Sequence, residues 1–177
     1  IIKAEEGAAA GKLIDDAVSE ISRIADSLKS EASRLKSQQS QADAVLRLHY
    51  EAAWCYRALA DAHVQKLQLQ ALQKVLGNIR NVAPNQPLPA LSPPEIALSA
   101  IPLQAGEKAA REQYETIIAA APSSTMGVRA RVELAELQHQ RGENDAALEG
   151  LASALEDTPP AELSERIHLR IAACLLA

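Results

Sequence analysis

Between Lys12 and Ser37 the apolar side chains fall at Ile14, Val18, Ile21, Ala25, Leu28, Ala32 and Leu35. Spacings of four and three alternate, which draws a heptad seam along one side of a helix. Asp15, Asp16, Glu20, Arg23, Lys29, Glu31, Arg34 and Lys36 lie off that seam and are expected in water. No Pro or Gly interrupts the run, so the pattern predicts a helix of about seven turns. The polar stretch Ser37 to Gln41 then breaks the seam, and Ser40 with Asp43 resembles a weak capping box. A second helix is predicted from Gln41 to about Arg80, through Val45, Leu48, Ala52, Cys55, Leu59, Ala62, Leu67, Leu72, Val75 and Leu76. It would reach roughly 60 Å and is long enough to bend. Two apolar seams joined by a short turn predict an N-terminal antiparallel helical hairpin over residues 1–81. The rival arrangement is one very long helix that self-associates.

The pattern changes at residues 82–104, which hold Pro84, Pro87, Pro89, Pro93, Pro94 and Pro102, with Glu95 as the only charge. Proline removes backbone donors and fixes φ, so neither a helix nor a central strand is expected here. The stretch has no Gly and carries Leu88, Leu91, Ile96, Leu98, Ile101 and Leu103. That is too apolar for a free linker, and a proline-rich extended strap lying on the helices is expected. Pro84-x-x-Pro87 lacks the flanking basic residue that SH3-type recognition would use.

From Gly106 the helical pattern returns, and it repeats. Ala110-x-x-x-Tyr114 leads to Pro122 as Ala147-x-x-x-Leu151 leads to Pro159, each Ala-to-Pro interval being 12 residues. Leu134-Ala135-x-x-Gln138 precedes the turn Arg141-Gly142-Glu143-Asn144, and Ile171-Ala172-x-x-Leu175 reproduces the Leu-Ala pattern. Val128 to Ala161 resembles a tetratricopeptide repeat: Leu134 and Ala135 on the first helix, Gly142 at the turn, Ala147, Leu151 and Ala154 on the second helix, Pro159 at its end. Arg131 and Gln138 stand where the family usually has Trp and Tyr. Ala110, Tyr114, Ile117 and Pro122 look like the second helix of a preceding repeat, and Glu165 to Ala177 like the first helix of a following one. Trp54-x-x-Arg57-Ala58 is a fainter echo. The resemblance implies tetratricopeptide-like repeats over residues 105–177, stacked because each helix pair leaves one apolar face open. With the hairpin and strap, the expected fold class is all-α.

Composition changes this picture in one respect. Hydrophobic residues are 47% of the 177, yet aromatics are 2%, with no Phe. Alanine and leucine must therefore make the core, which favours close helix contacts. A net charge of −5 with no Lys/Arg run argues against a nucleic-acid partner. No run approaches the ~18 apolar residues of a membrane-spanning helix. The chain opens Ile1-Ile2-Lys3 and reads as a fragment of a larger bacterial-type repeat protein, with the cytoplasm and the cell envelope both open. Cys55 and Cys174 are read as two buried thiols, with a disulfide between them as the alternative.

No catalytic constellation is present. His49, His63, His139 and His168 are dispersed on helices, and His49 and His63 would stand roughly 21 Å apart. The acidic pairs Glu5-Glu6 and Asp15-Asp16 lie near a helix start, where carboxylates suit the dipole. Ser123-Ser124-Thr125 reads as a loop with a helix cap. Tyr50, Trp54 and Tyr56 are three of only four aromatics, and are expected to pack in the core rather than to cage a ligand. Neither metal nor cofactor is expected. The family's concave groove would bring Arg129, Val132, Glu136 and His139 to a partner-binding surface. Val132 and Glu136 occupy places where carboxylate-clamp members carry Lys and Asn, so a C-terminal carboxylate is not the expected guest. The expected function is non-catalytic protein–protein interaction through a tetratricopeptide-like face. The alternative is a homo-oligomerisation module, a homodimer through the heptad helix 12–37.

Overall fold

Six α-helices, and no strand, make up the described residues 4–38, 41–80 and 98–177 of the computed structural model. The chain is all-α there. Most of the expected strap, including Leu88, Leu91 and Ile96, lies outside the described residues.

Helix α1 (Ala4–Leu35) starts ten residues before Ile14, the first position of the heptad seam, carried by Ala4 and Ala8 to Ala10, which are the best helix formers. Its seam is used within the chain. Ala25 and Ala32 are fully buried, Leu35 nearly so, and Ile14, Val18, Ile21 and Leu28 half-buried. Helix α2 (Ala42–Arg80) runs back along it. The Tyr56 hydroxyl donates to Asp26 Oδ1 at 2.7 Å, and Lys66 Nζ donates to Asp15 Oδ1 at 2.7 Å. Rising numbers on one helix meet falling numbers on the other, so the two are antiparallel.

The deep side chains of α2 are Leu46, Ala52, Ala53, Tyr56 and Ala60, and beyond Ala60 none of its described side chains is buried. The expected single face through Val45, Leu48 and Leu59 is only half-buried. The reason is that α2 is packed on two sides, by α1 and by α3 (Ala105–Ala120). Helix α3 lies antiparallel to the first half of α2, with His49 Nδ1 and Gln113 Oε1 2.8 Å apart and the Tyr50 and Tyr114 rings edge to face at 5.9 Å. A Cβ at Gly106 would stand 2.8 Å from the Tyr56 carbonyl oxygen, so the two backbones nearly touch.

Helices α4 (Thr125–Gln140), α5 (Asn144–Glu156) and α6 (Ala161–Leu176) follow. Each helix packs on the next in sequence, and α4 also touches α2 and α6. Ser124 caps α4 as expected, its Oγ accepting from Gly127 N–H at 3.0 Å. The end of α4 is closed by Gly142 at φ 77°, with Gly142 N–H on the His139 carbonyl and Glu143 N–H on the Gln138 carbonyl, the pairing of a Schellman motif.

Two apolar clusters result. One joins Ala25, Ala53 and Tyr56 to Tyr114, Ile117 and Leu137. The other joins Val128, Val132, Ala135, Ala147, Leu151, Ala154 and Ile167. Cys55 packs beside the first and Cys174 within the second, both as free thiols.

The described end of the strap is held by one side chain. Ile101 is buried and Leu98 and Leu103 half-buried. Arg141, at the α4–α5 turn, donates to the Leu98 carbonyl at 2.5 Å and to the Ile101 carbonyl, and grips both oxygens of buried Glu107. One guanidinium thus ties residues 98–101 to α3 and to the turn after α4.

Glycine positions give a direct check on this packing. A Cβ at Gly127 would fall 2.1 Å from the Ala121 carbonyl oxygen, whereas one at Gly150, inside α5, meets nothing within 4 Å. Gly127→Ala should lower stability by about 2–3 kcal/mol, and Gly150→Ala should raise it by roughly 0.5–1 kcal/mol. Urea midpoints shifting in the same direction for both variants would be incompatible with the packing described.

Candidate functional site

Helix α4 carries two carboxylates one turn apart, Glu133 and Glu136, and both point into the structure: Glu133 is 2% exposed and Glu136 half-buried. A buried carboxylate needs counter-charge and hydrogen bonds, and both come from helices that are not its sequence neighbours. From α2, Arg57 donates Nη1 to Glu133 at 2.8 Å and places Nη2 3.2 Å from Glu136. From α6, Arg166 Nη2 lies 2.8 Å from Glu133 and 3.1 Å from Glu136, and Arg170 Nη2 bonds Glu136 at 2.9 Å. Arg166 and Arg170 are four residues apart, so one helix face delivers both.

This arrangement fixes the protonation of the cluster. Burial alone would raise the Glu136 carboxyl, but Arg57 and Arg170 outweigh it and hold it below its ordinary value. Burial would likewise weaken the hold of Arg57 on its proton, and Glu136 and Glu133 reverse that. Tyr114 lies close to Glu133, Tyr50 and Arg57, fully buried, with its hydroxyl making no hydrogen bond. Burial, with Glu133 beside it, pushes its ionisation upward.

The network forms one wall of a cavity of about 270 Å³, lined by Trp54, Arg57, Ala58, Asp61, Glu133, Glu136 and Arg166. Trp54 is 52% exposed. Its expected place in the core is therefore corrected: Tyr56 is buried and Tyr50 stacks on Tyr114, while Trp54 turns to solvent one position off the buried stripe. Burial also raises the Asp61 carboxyl, Arg57 pulls it back and Glu107 adds to the rise.

The four residues expected on the partner-binding surface do not stay together. Arg129 is exposed and lies near Tyr50, whose ionisation burial and Glu133 push upward against a lesser opposing pull from Arg129. Glu136 sits in the network. Val132 is corrected to a core position, 0% exposed, because α6 lies across it and brings Ile167 into the same cluster. His139 turns away, its Nδ1 2.8 Å from Asn144 Oδ1 at the start of α5. Glu133, Arg166, Arg170 and Asp61 escaped the sequence reading, in which Arg57 figured only in a repeat echo and Trp54 in that echo and in the aromatic group expected in the core. The available signal was a lone carboxylate inside an apolar run, Val132-Glu133-Leu134-Ala135.

Among the described residues no three His, Cys, Asp or Glu side chains are placed to share a metal ion, and no helix is long and apolar enough to cross a membrane. No protein-family model, curated protein or solved structure matches the chain.

Two variants test the electrostatics. The folded Glu136 value lies below the unfolded one, so its contribution is fully present above the unfolded carboxyl value and vanishes as pH falls through the folded value. Glu136→Gln should cost roughly 1–2 kcal/mol near neutrality, and the gap to wild type should close as pH falls below the ordinary carboxyl value and through the lower folded one. A gap independent of pH would contradict the ion pairing. Tyr114→Phe removes an orphaned hydroxyl and should be neutral or stabilising by about 1 kcal/mol. A loss of more than that in thermal unfolding would mean the hydroxyl has a partner.

Proposed function

We propose that this chain is a non-catalytic interaction scaffold that binds a peptide or partner protein on the face shared by α2, α4 and α6. The observation that carries the reading is the cavity on that face, with half-exposed Trp54 over a wall of arginines and glutamates already locked by one another. A rigid aromatic beside preorganised charge is the anatomy of an interaction hot spot, because little side-chain freedom is left to lose on binding.

The finer architecture in this reading is tetratricopeptide-like. Helices α4 and α5 form one repeat, closed by Gly142, with Ala135, Ala147 and Ala154 at its tight contact. Helix α2 takes the role of first helix for α3, and α6 begins a third unit. The long pair α1–α2 is the N-terminal hairpin, and residues 98–104, the described end of the strap, lead into α3. The homodimer alternative through residues 12–37 requires α1 to leave α2 and expose Ala25, Ala32 and Leu35, and is the weaker reading. Nucleic acid is not the proposed partner, given the net charge of −5.

Panning a peptide library against the whole chain tests the scaffold. Selected peptides should change the fluorescence of Trp54, the sole tryptophan, and Trp54→Ala should weaken their binding about tenfold by calorimetry. Peptides whose affinity is untouched by Trp54→Ala, or a dimer by light scattering whose interface is α1, would sink it.

A further inference from the structure

Helix α4 has two apolar faces, and different helices cover them. Ala130, Leu134 and Leu137 belong to the first cluster, with α2 and α3, whereas Val128, Val132 and Ala135 belong to the second, with α5 and α6. The sequence repeats at 37 residues, Ala110 with Ala147, Pro122 with Pro159 and Ala135 with Ala172. That shift carries Ala130, Leu134 and Leu137 onto Ile167, Ile171 and Cys174 of α6. The structure uses them alike, since all three pack in the second cluster against the preceding pair, α4 and α5.

The same shift carries Val132 and Ala135 onto Leu169 and Ala172, and here the likeness stops. Leu169 is 72% exposed and Ala172 is exposed beside it. Leu176, four residues further on, is 88% exposed, so Leu169, Ala172 and Leu176 form one bare stripe along the helix. Helix α6 therefore has both faces of an internal repeat helix, with only one of them covered.

Helix α4 shows what such a stripe accepts. Val132 and Ala135 are packed in part by α5, through Ala147, Leu151 and Ala154. The two helices are antiparallel, with His139 near the end of α4 bonded to Asn144 at the start of α5. Small side chains at i and i+7 of α5, with a large one at i+4, let the backbones approach. An extended peptide would find no free backbone pairing on a helix face. An acidic membrane surface would meet the exposed carboxylates Glu162 and Glu165 beside the stripe. Two substitutions within the repeat define the guest further. Leu176 stands where α4 has His139, which calls for an apolar residue where α5 presents Asn144. Glu165 stands where α4 has Val128, which calls for a basic last turn where α5 has Glu156.

We propose that the outer stripe of α6 is the docking site of an amphipathic partner helix of the α5 kind. It runs antiparallel to α6, with an apolar first turn, a small–large–small stripe at i, i+4 and i+7, and a basic last turn. The stripe lies on a different face of α6 from Arg166 and Arg170, so the inference goes beyond the reading of the cavity and does not depend on it.

The probe is a fluorescein-labelled, lactam-stapled helical peptide carrying residues 144–157 with Asn144→Leu and Glu156→Lys, titrated with the whole chain by anisotropy. It should bind saturably with a dissociation constant on the order of 10–100 μM. Leu169→Asp in the chain, at an exposed position and checked for an unchanged fold by circular dichroism, should weaken binding at least tenfold. Restoring Glu156 in the peptide should weaken it about threefold at low salt, a difference erased at about 0.5 M salt. Trp54→Ala in the chain should leave the affinity unchanged. Absence of saturable binding, or equal affinity for the Leu169→Asp chain, overturns the proposal. Binding lost in Trp54→Ala places the peptide in the cavity, which overturns this proposal and leaves the scaffold reading intact. A concentration-dependent dimer by light scattering that Leu169→Asp abolishes makes a second copy the occupant, and overturns it as well.

Discussion

A carboxylate that is 2% exposed fixes how these helices stand. Glu133 cannot be solvated, so its counter-charge has to be built into the protein. That charge comes from Arg57 on α2 and Arg166 on α6. Apolar packing joins each helix to the next in the chain, and α4 to α6 as well through Val132 and Ile167, whereas the ion network joins only α2, α4 and α6. Sliding α6 by a turn against α4 would cost Glu136 one of its two α6 arginines, leaving Arg57 to hold it. Replacing such a network by apolar residues can leave stability unchanged, but breaking one member leaves a bare buried charge. Its contribution is therefore greater to the choice of arrangement than to the depth of the energy minimum.

Alanine is what permits the helices to come this close. Ala52, Ala53, Ala110, Ala130, Ala135, Ala147 and Ala154 are nearly or wholly inaccessible, and at Gly106 and Gly127 even a methyl group would collide with a neighbouring carbonyl oxygen. Small residues bring backbones together, and the few large ones, Tyr114, Ile117, Leu151 and Ile167, fill what remains. Interiors packed this way leave little room for relaxation.

These features differ in how readable they are. The seam of α1 is visible because one face meets one neighbour, and heptad spacing records a single direction. Helix α2 is harder to read: it is packed by α1 and α3 together, so its buried stripe through Leu46, Ala53, Tyr56 and Ala60 is not the one that spacing suggests. Gly142 and the Ser124 cap could be read locally, as both are consequences of φ and of helix-end donors. Of the four residues expected on the partner surface, Arg129 is exposed, Glu136 is locked in the ion network, Val132 is buried and His139 turns to Asn144, because the repeat pattern tells which residue faces inward but not what lies over it. Val132 was covered by Ile167, and Glu133 was paired by residues some 76 and 33 positions away. Nothing local encodes such partners.

The two halves of α2 live under different constraints. Up to Ala60 it is clamped between α1 and α3, and past that point α3 no longer accompanies it and no described side chain is buried. A stiff rod anchored at one end behaves as a lever. A tilt of a few degrees at the Gly106 contact would displace the far end, about 30 Å away, by a few ångströms. Trp54, Arg57 and Asp61 sit where that change of constraint falls, so the cavity is founded on the clamped stretch of α2 and not on its free arm.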